Sequence, residues 1–170
     1  MAEKRKIGNS LEVTPVGLGC MGFSHAYGAP TARKEAVGMI HRAYDIEQVR
    51  TYSADHMKMI YEAKEELDSD ARPELKQYPD GIEEYDTVIL AFPNWWNTLP
   101  MPVVTFLTRY DFSGKKIILF NTSGGGGFGR SVADIKKYAP GAEVAEGMTV
   151  PGTKVEASKT QIQDWAKAQV

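Results

Sequence analysis

Two short stretches, Val88-Ile89-Leu90-Ala91-Phe92 and Lys116-Ile117-Ile118-Leu119-Phe120, are almost unbroken apolar runs, the first bounded by Asp86 and Pro93 and the second by Gly114 and Asn121. A strand with one wet face alternates polar and apolar residues. A run without alternation belongs to a strand buried on both faces, which is the position of a central strand in a parallel sheet covered by helices. The surrounding sequence supplies those helices. Met57, Ile60, Tyr61, Lys64 and Leu67 recur at helical spacing behind Ser53, read as the N-cap. Val103, Phe106, Leu107 and Tyr110 form a stripe behind Pro100-Met101-Pro102, where prolines suit a helix start. Ser131, Val132 and Ile135 mark another helix, and Ile162, Trp165 and Ala166 a terminal one. Upstream, Ala36, Val37, Ile40, Ala43 and Tyr44 follow Thr31 with the same spacing.

Residues 46–52 and 142–150 read as further strands, the latter at a sheet edge. With 15–21 as the first strand, the order of elements predicts a single three-layer α/β domain over all 170 residues. Its sheet is doubly wound, parallel and five-stranded, in the order 2-1-3-4-5, and a small β-hairpin over residues 4–13 precedes it. Ligands of such sheets bind beyond the carboxyl ends of the strands, where the strand order reverses.

Charge and composition narrow the partners. Lys+Arg 20 against Asp+Glu 22 gives a net charge of -2 with no basic cluster to follow a phosphate backbone, so no nucleic-acid partner is expected. The charged N-terminus runs into broken hydrophobicity, and neither a signal peptide nor a membrane span is expected. A lone cysteine, Cys20, suits a reducing cytoplasm and reads as a small buried residue, because no base partners it. His25, His41 and His56 have no metal-ligand spacing.

The chemistry is concentrated in two loops that leave strands at the ligand end. Pro93-Asn94-Trp95-Trp96-Asn97 puts two large flat rings into one turn, and adjacent residues in a turn do not both face the same core. One ring is therefore available to a ligand or partner. Asn121-Thr122-Ser123-Gly124-Gly125-Gly126-Gly127 permits backbone shapes closed to residues with a Cβ and lets main-chain N–H groups approach a phosphate or the polar edge of a planar heterocycle.

From about residue 46 to 170 the chain resembles flavodoxin-like proteins of the short bacterial flavoprotein and NAD(P)H-quinone-reductase type. The likeness is carried in order by Ala71-Arg72-Pro73-Glu74-Leu75, Asn94-Trp95-Trp96, Pro100-Met101-Pro102-Val103, Phe112-Ser113-Gly114-Lys115-Lys116 and Thr122-Ser123-Gly124-Gly125. This resemblance implies an FMN site in which Trp95, Trp96 and their neighbours flank the isoalloxazine ring, Thr122 to Gly126 line its pyrimidine edge and Arg72 approaches. It further implies electron transfer or reduction of a small acceptor such as a quinone, with NAD(P)H as donor. The partner is then a small molecule or a redox protein, with a homodimer left open.

The beginning of the chain is different. Family members open with a strand and a phosphate loop of the form Ser/Thr-x-Thr-Gly-Asn-Thr, which this sequence lacks. Residues 5–13, Gly17-Leu18-Gly19-Cys20-Met21-Gly22 and the helical stretch 35–45 instead resemble the opening of bacterial aldo-keto reductases, in which they form a hairpin, first strand and first helix. The catalytic tetrad of that family does not follow, so its activity is not implied. Both families use right-handed strand-helix-strand units, and one can stand in for another. The expected cofactor set is therefore Pro93, Asn94, Trp95, Trp96, Asn97, Thr122, Ser123, Gly124, Gly125 and Gly126, completed by Met21, Gly22, Ser24 and Arg33 from the replaced unit. Arg33 and Lys34 fall in the first turn of a helix, where cations are favoured chiefly with an anion present; both being simply solvated is the competing reading. A second function class stays open: a flavodoxin-fold chimera with impaired FMN binding that acts as a non-catalytic interaction module.

Overall fold

The computed structural model describes residues 5–7, 11–13 and 45–169. Arg5–Ile7 (β1) and Leu11–Val13 (β2) pair antiparallel, with Arg5 opposite Val13. Helix α1 (His56–Asp68) then precedes β3 (Thr87–Pro93), α2 (Met101–Arg109), β4 (Lys116–Ser123), α3 (Ser131–Tyr138), β5 (Glu143–Pro151) and α4 (Lys159–Lys167). Strands β3, β4 and β5 form a parallel sheet in that order, with Leu90 beside Leu119 and Ile117 beside Val144. This is the 3-4-5 half of the expected sheet. The expected first strand, 15–21, and the helix that follows it lie outside the described residues. No described helix is long and apolar enough to cross a membrane.

The apolar runs are explained by burial on both faces. Leu90 and Phe92 of β3 and Ile117 and Leu119 of β4 face α2 and α3, where Val103, Val104, Phe106, Leu107 and Ile135 complete the larger core. Side chains of this size stabilise by about 1.5–3 kcal/mol each when fully buried. On the opposite face Ala91, Phe120 and Val150 pack against Met148, Ile162 and Trp165, which brings α4 onto the sheet. Pro102 sits in the first turn of α2, where its missing N–H leaves no helical bond unmade.

Three sequence expectations are corrected. Residues 46–52 are not a sheet strand: Gln48 makes an isolated antiparallel bridge with Leu75, fixed by N–H groups of Val49 and Lys76 bonding to Glu74 and Glu47 carbonyls at 2.7 Å each. Val49 is 53% exposed and Gln48 buried, so the apolar residue faces out and the polar one in. The N-cap of α1 is Asp55, whose carboxylate accepts the Lys58 N–H at 2.9 Å, while Ser53 Oγ only braces the Asp55 N–H at 3.2 Å. The buried line of α1 runs through Ala63 and Glu66, and Met57 and Tyr61 are exposed. A carboxylate on the inner face displaces the apolar stripe because it has a buried partner, described below.

Strand β5 carries one extra residue where the register with β4 shifts between Leu119 and Phe120. Gly147 occupies it, and a Cβ there would lie 2.3 Å from the Leu119 carbonyl oxygen and 2.7 Å from Trp165 Cζ2. A bulge at this point bends the strand beneath the indole of α4. Gly147→Ala must push either the β4 backbone or Trp165 away. It is expected to lower stability by about 2–3 kcal/mol, read as a fall in melting temperature, with little change in far-UV circular dichroism.

Candidate functional site

Parallel strands deliver their carboxyl ends to one edge of the sheet, and the two conspicuous loops leave β3 and β4 there. The β3 ladder continues into Asn94, whose N–H donates to the Thr122 carbonyl at 2.7 Å. Trp95 and Thr98 then exchange backbone hydrogen bonds at 2.9 and 3.0 Å around a two-residue turn. Its central residues, Trp96 (φ 51°) and Asn97 (φ 66°), are both left-handed, the pattern of a type I′ turn. Asparagine tolerates that region. Tryptophan held there costs about 1–3 kcal/mol and persists only where its surroundings enforce it. Here the Trp96 indole N–H donates to the Ile60 carbonyl of α1 at 3.2 Å, with the Lys64 ammonium 5.7 Å from the ring centroid. The two tryptophans therefore diverge. Trp96 is 43% exposed and tied to α1, whereas Trp95 sits half-buried in a T-shaped contact with Tyr52, centroids 5.5 Å apart.

The second segment differs from its sequence reading in one respect: Asn121, Thr122 and Ser123 belong to β4, and the loop starts at Gly124. Their polarity misplaces the boundary because each is buried in the strand end with work to do there. Asn121 Nδ2 donates to the Phe92 carbonyl at 3.3 Å and its Oδ1 accepts from Thr149 Oγ1 at 3.2 Å, stitching β3, β4 and β5 together. Ser123 Oγ accepts the N–H groups of Gly125 and Gly127 at 3.3 and 3.1 Å and so shapes the glycine loop. The N–H groups of Gly124 and Gly126 have no acceptor among the described residues, and both glycines are exposed.

The loops are fastened to each other. Asn94 Nδ2 donates to the Gly127 carbonyl at 2.7 Å and the Arg130 N–H donates to the Asn97 carbonyl at 2.9 Å. The Thr98 hydroxyl donates to Asp134 in the first turn of α3, which also accepts Arg130 Nε at 3.0 Å. At the centre lies Gly129 (φ 53°), where a Cβ would fall 2.4 Å from Asn97 Oδ1 and 2.5 Å from the Asn97 carbonyl oxygen. Glycines 124, 125 and 127 are the opposite case: an added Cβ meets nothing within 4 Å. Gly129 is needed for closure, and the others leave an open strip of main chain at the same sheet edge as the tryptophan turn.

Of the sequence-predicted residues, Pro93, Asn94, Trp95, Asn97, Thr122, Ser123, Gly124, Gly125 and Gly126 are gathered at this edge, with Trp96 turned toward α1. Met21, Gly22, Ser24 and Arg33 lie outside the described residues. Arg72 is at the other end of the sheet, paired with Asp70 at 2.9 Å and stacked on Tyr138 at the last turn of α3. Its guanidinium is engaged there by a local ion pair and an aromatic face, so its approach to the site is corrected. Residues that the sequence reading missed are Gln48, Tyr52 and Glu66. The Tyr52 hydroxyl donates to Glu66 Oε2 in a buried bond. The signal was a carboxylate on the helical line Met59, Ala63, Glu66, which is stable only opposite a buried donor.

A flavodoxin family model matches residues 36–169. The chain belongs to the flavodoxin family. Its fold is similar to that of a candidate flavoprotein from Bacteroides uniformis, with 29% identity and a TM-score of 0.62 over 77% of this chain and 87% of that one. It is likewise similar to a candidate flavoprotein from Bacteroides eggerthii, at 24% identity and a TM-score of 0.60 over 77% and 87% of the two chains. A flavoprotein from Lactobacillus acidophilus, solved in complex with FMN, shares 18% identity and a similar fold, with a TM-score of 0.54 over 79% of this chain and 88% of that one. Within this flavodoxin the matched stretch begins at residue 36, so it takes in residues 36–45 of the helical stretch expected above and leaves residues 1–35 outside the match.

Burial moves both groups of the polar pair behind Trp95 from their ordinary values. Burial pushes the Glu66 carboxyl above the usual carboxylate range, against the pull of the Tyr52 hydrogen bond and Arg50, and with Glu62 and Glu65 adding to the rise. Burial likewise drives the Tyr52 hydroxyl far above its ordinary value. A raised folded-state value means that the fold holds this proton more tightly than the unfolded chain does. The contribution is fully present below the ordinary carboxylate value of 4.5 and is lost as pH rises through the raised one. Glu66→Gln removes that titration, so melting curves of the variant should lose less stability than wild type as pH rises from the ordinary carboxylate value of 4.5 through the raised one.

Proposed function

We propose that this flavodoxin is an FMN-binding flavoprotein that transfers electrons or reduces a small acceptor such as a quinone, with NAD(P)H as donor. The observation that carries the reading is the fastened pair of loops, which presents an open glycine main chain at the same sheet edge as the half-buried Trp95. The residues present fit the ring portion of FMN: a flat wall is available from Trp95, and the free N–H groups of Gly124 and Gly126 are suited to donate to carbonyl oxygens of the pyrimidine edge. Pro93, Asn94 and Asn97 hold the wall, and Thr122, Ser123 and Gly125 hold the glycine strip. When bound, the flavin supplies the redox chemistry, and the protein orients it and sets its surroundings. Ser24 and Arg33, with Met21 and Gly22 before them, are the residues proposed to meet the phosphate in place of the family's loop. The partner is a small molecule or a redox protein, and a homodimer is compatible with the reading.

A second reading has one observation in its favour: the family's Ser/Thr-x-Thr-Gly-Asn-Thr phosphate loop is absent from the sequence. On that reading the chain is a chimera that keeps the scaffold and binds FMN poorly. An FMN titration followed by flavin fluorescence separates the two. The first reading expects saturable quenching at micromolar FMN, weakened about tenfold by Trp95→Leu and by Ser24→Ala combined with Arg33→Ala. A folded protein that quenches no flavin fluorescence would favour the chimera, as would a melting temperature unmoved by FMN.

A further inference from the structure

Trp95 cannot serve as a ring wall unless something holds its own ring. It lies in a turn whose second residue is strained, and the hydrogen bonds of that turn fix its main chain but leave the indole to side-chain contacts. The Trp95 ring meets the Tyr52 ring with centroids 5.5 Å apart and planes 69° apart, the favoured T-shaped arrangement. Tyr52 is only 8% exposed and precedes α1 in irregular chain, so no strand ladder orients it. Its orientation comes instead from the hydroxyl, which donates to Glu66 on the inner line of α1. Glu66 is in turn 8% exposed and part of a regular helix, a rigid anchor. The result is a continuous path from the helix through a buried hydrogen bond and an aromatic edge to the ligand-facing loop.

We propose that Tyr52, fixed by Glu66, is the positioning residue that sets the Trp95 ring for flavin binding. The inference rests on the FMN reading above and adds to it two residues outside both loops. A buried carboxylate is an expensive way to fill space on α1, since an apolar residue of similar volume packs there without a polar partner. Its presence opposite Tyr52 is accounted for if the tyrosine must adopt one orientation. Trp96 needs no such device, because its indole N–H is bonded directly to α1.

The chain has three tryptophans, Trp95, Trp96 and Trp165, so fluorine NMR of the full chain labelled with fluorotryptophan gives one reporter for each. Lines are assigned by single Trp→Phe variants. Tyr52→Leu and Glu66→Leu are expected to shift or broaden the Trp95 line and leave that of Trp165 unmoved. Glu66→Gln, whose amide oxygen still accepts the hydroxyl, should restore the wild-type line. FMN affinity should fall about two- to tenfold in Tyr52→Leu, and by much less when the same change is made in a Trp95→Leu background, because the effect passes through the indole. The proposal is overturned if the Trp95 line stays put in Tyr52→Leu, if the Trp165 line moves equally, or if the affinity loss is the same in both backgrounds. Should wild type bind no FMN, the flavin reading fails by itself, and the Trp95 line alone decides whether Tyr52 positions the ring.

Discussion

The Arg130 N–H reaches the Asn97 carbonyl only because Gly129 has no side chain to keep the two loops apart. Much of the site follows from that closure. It brings the end of the β3 turn against the start of α3, and the Asn94 amide and the Thr98–Asp134 hydrogen bond then clamp the same junction from either side. Loops from neighbouring parallel strands necessarily leave at one edge, but they need not touch. Here they are bonded into one platform, so the ordering entropy of a loop is met in folding rather than at ligand binding, which favours affinity.

The platform carries local costs that the rest of the fold offsets. Trp96 is held in the left-handed region by its bond to α1, and three buried polar side chains complete the end of β4. Asn121 is satisfied by β3 on one side and β5 on the other, so its burial registers the strands instead of weakening them. The same logic applies to Tyr52 and Glu66, each costly alone and tolerable as a bonded pair. Polar groups are thus concentrated where the geometry of the sheet edge must be fixed, while the middle of β3 and β4 is apolar.

The sequence made the described sheet legible because burial on both faces leaves an unmistakable run of apolar residues, and Pro100-Met101-Pro102 marked the start of α2 for a stereochemical reason. It also made both loops legible, since paired tryptophans and a glycine run are rare side by side with strand ends. What it hid were the places where a polar residue is buried by its partner. Asn121, Thr122 and Ser123 look like loop and are strand. Glu66 breaks the apolar stripe of α1 and so shifted the reading of its inner face toward Met57 and Tyr61. Gln48 is a separate case: its main chain makes one bridge with Leu75 where a strand was expected. Arg72 shows the limit of resemblance: its motif is present, but its charge is satisfied by Asp70 far from the loops.

The most direct test of the platform as the flavin site is an amide NMR titration of the intact chain with FMN. The account predicts that the amide signals of Gly124 and Gly126 and the indole signal of Trp95 move together and saturate, while those of Arg72 and Tyr138 at the opposite end of the sheet remain in place. Shifts confined to residues away from the two loops, or no shifts at all in the folded protein, would contradict it.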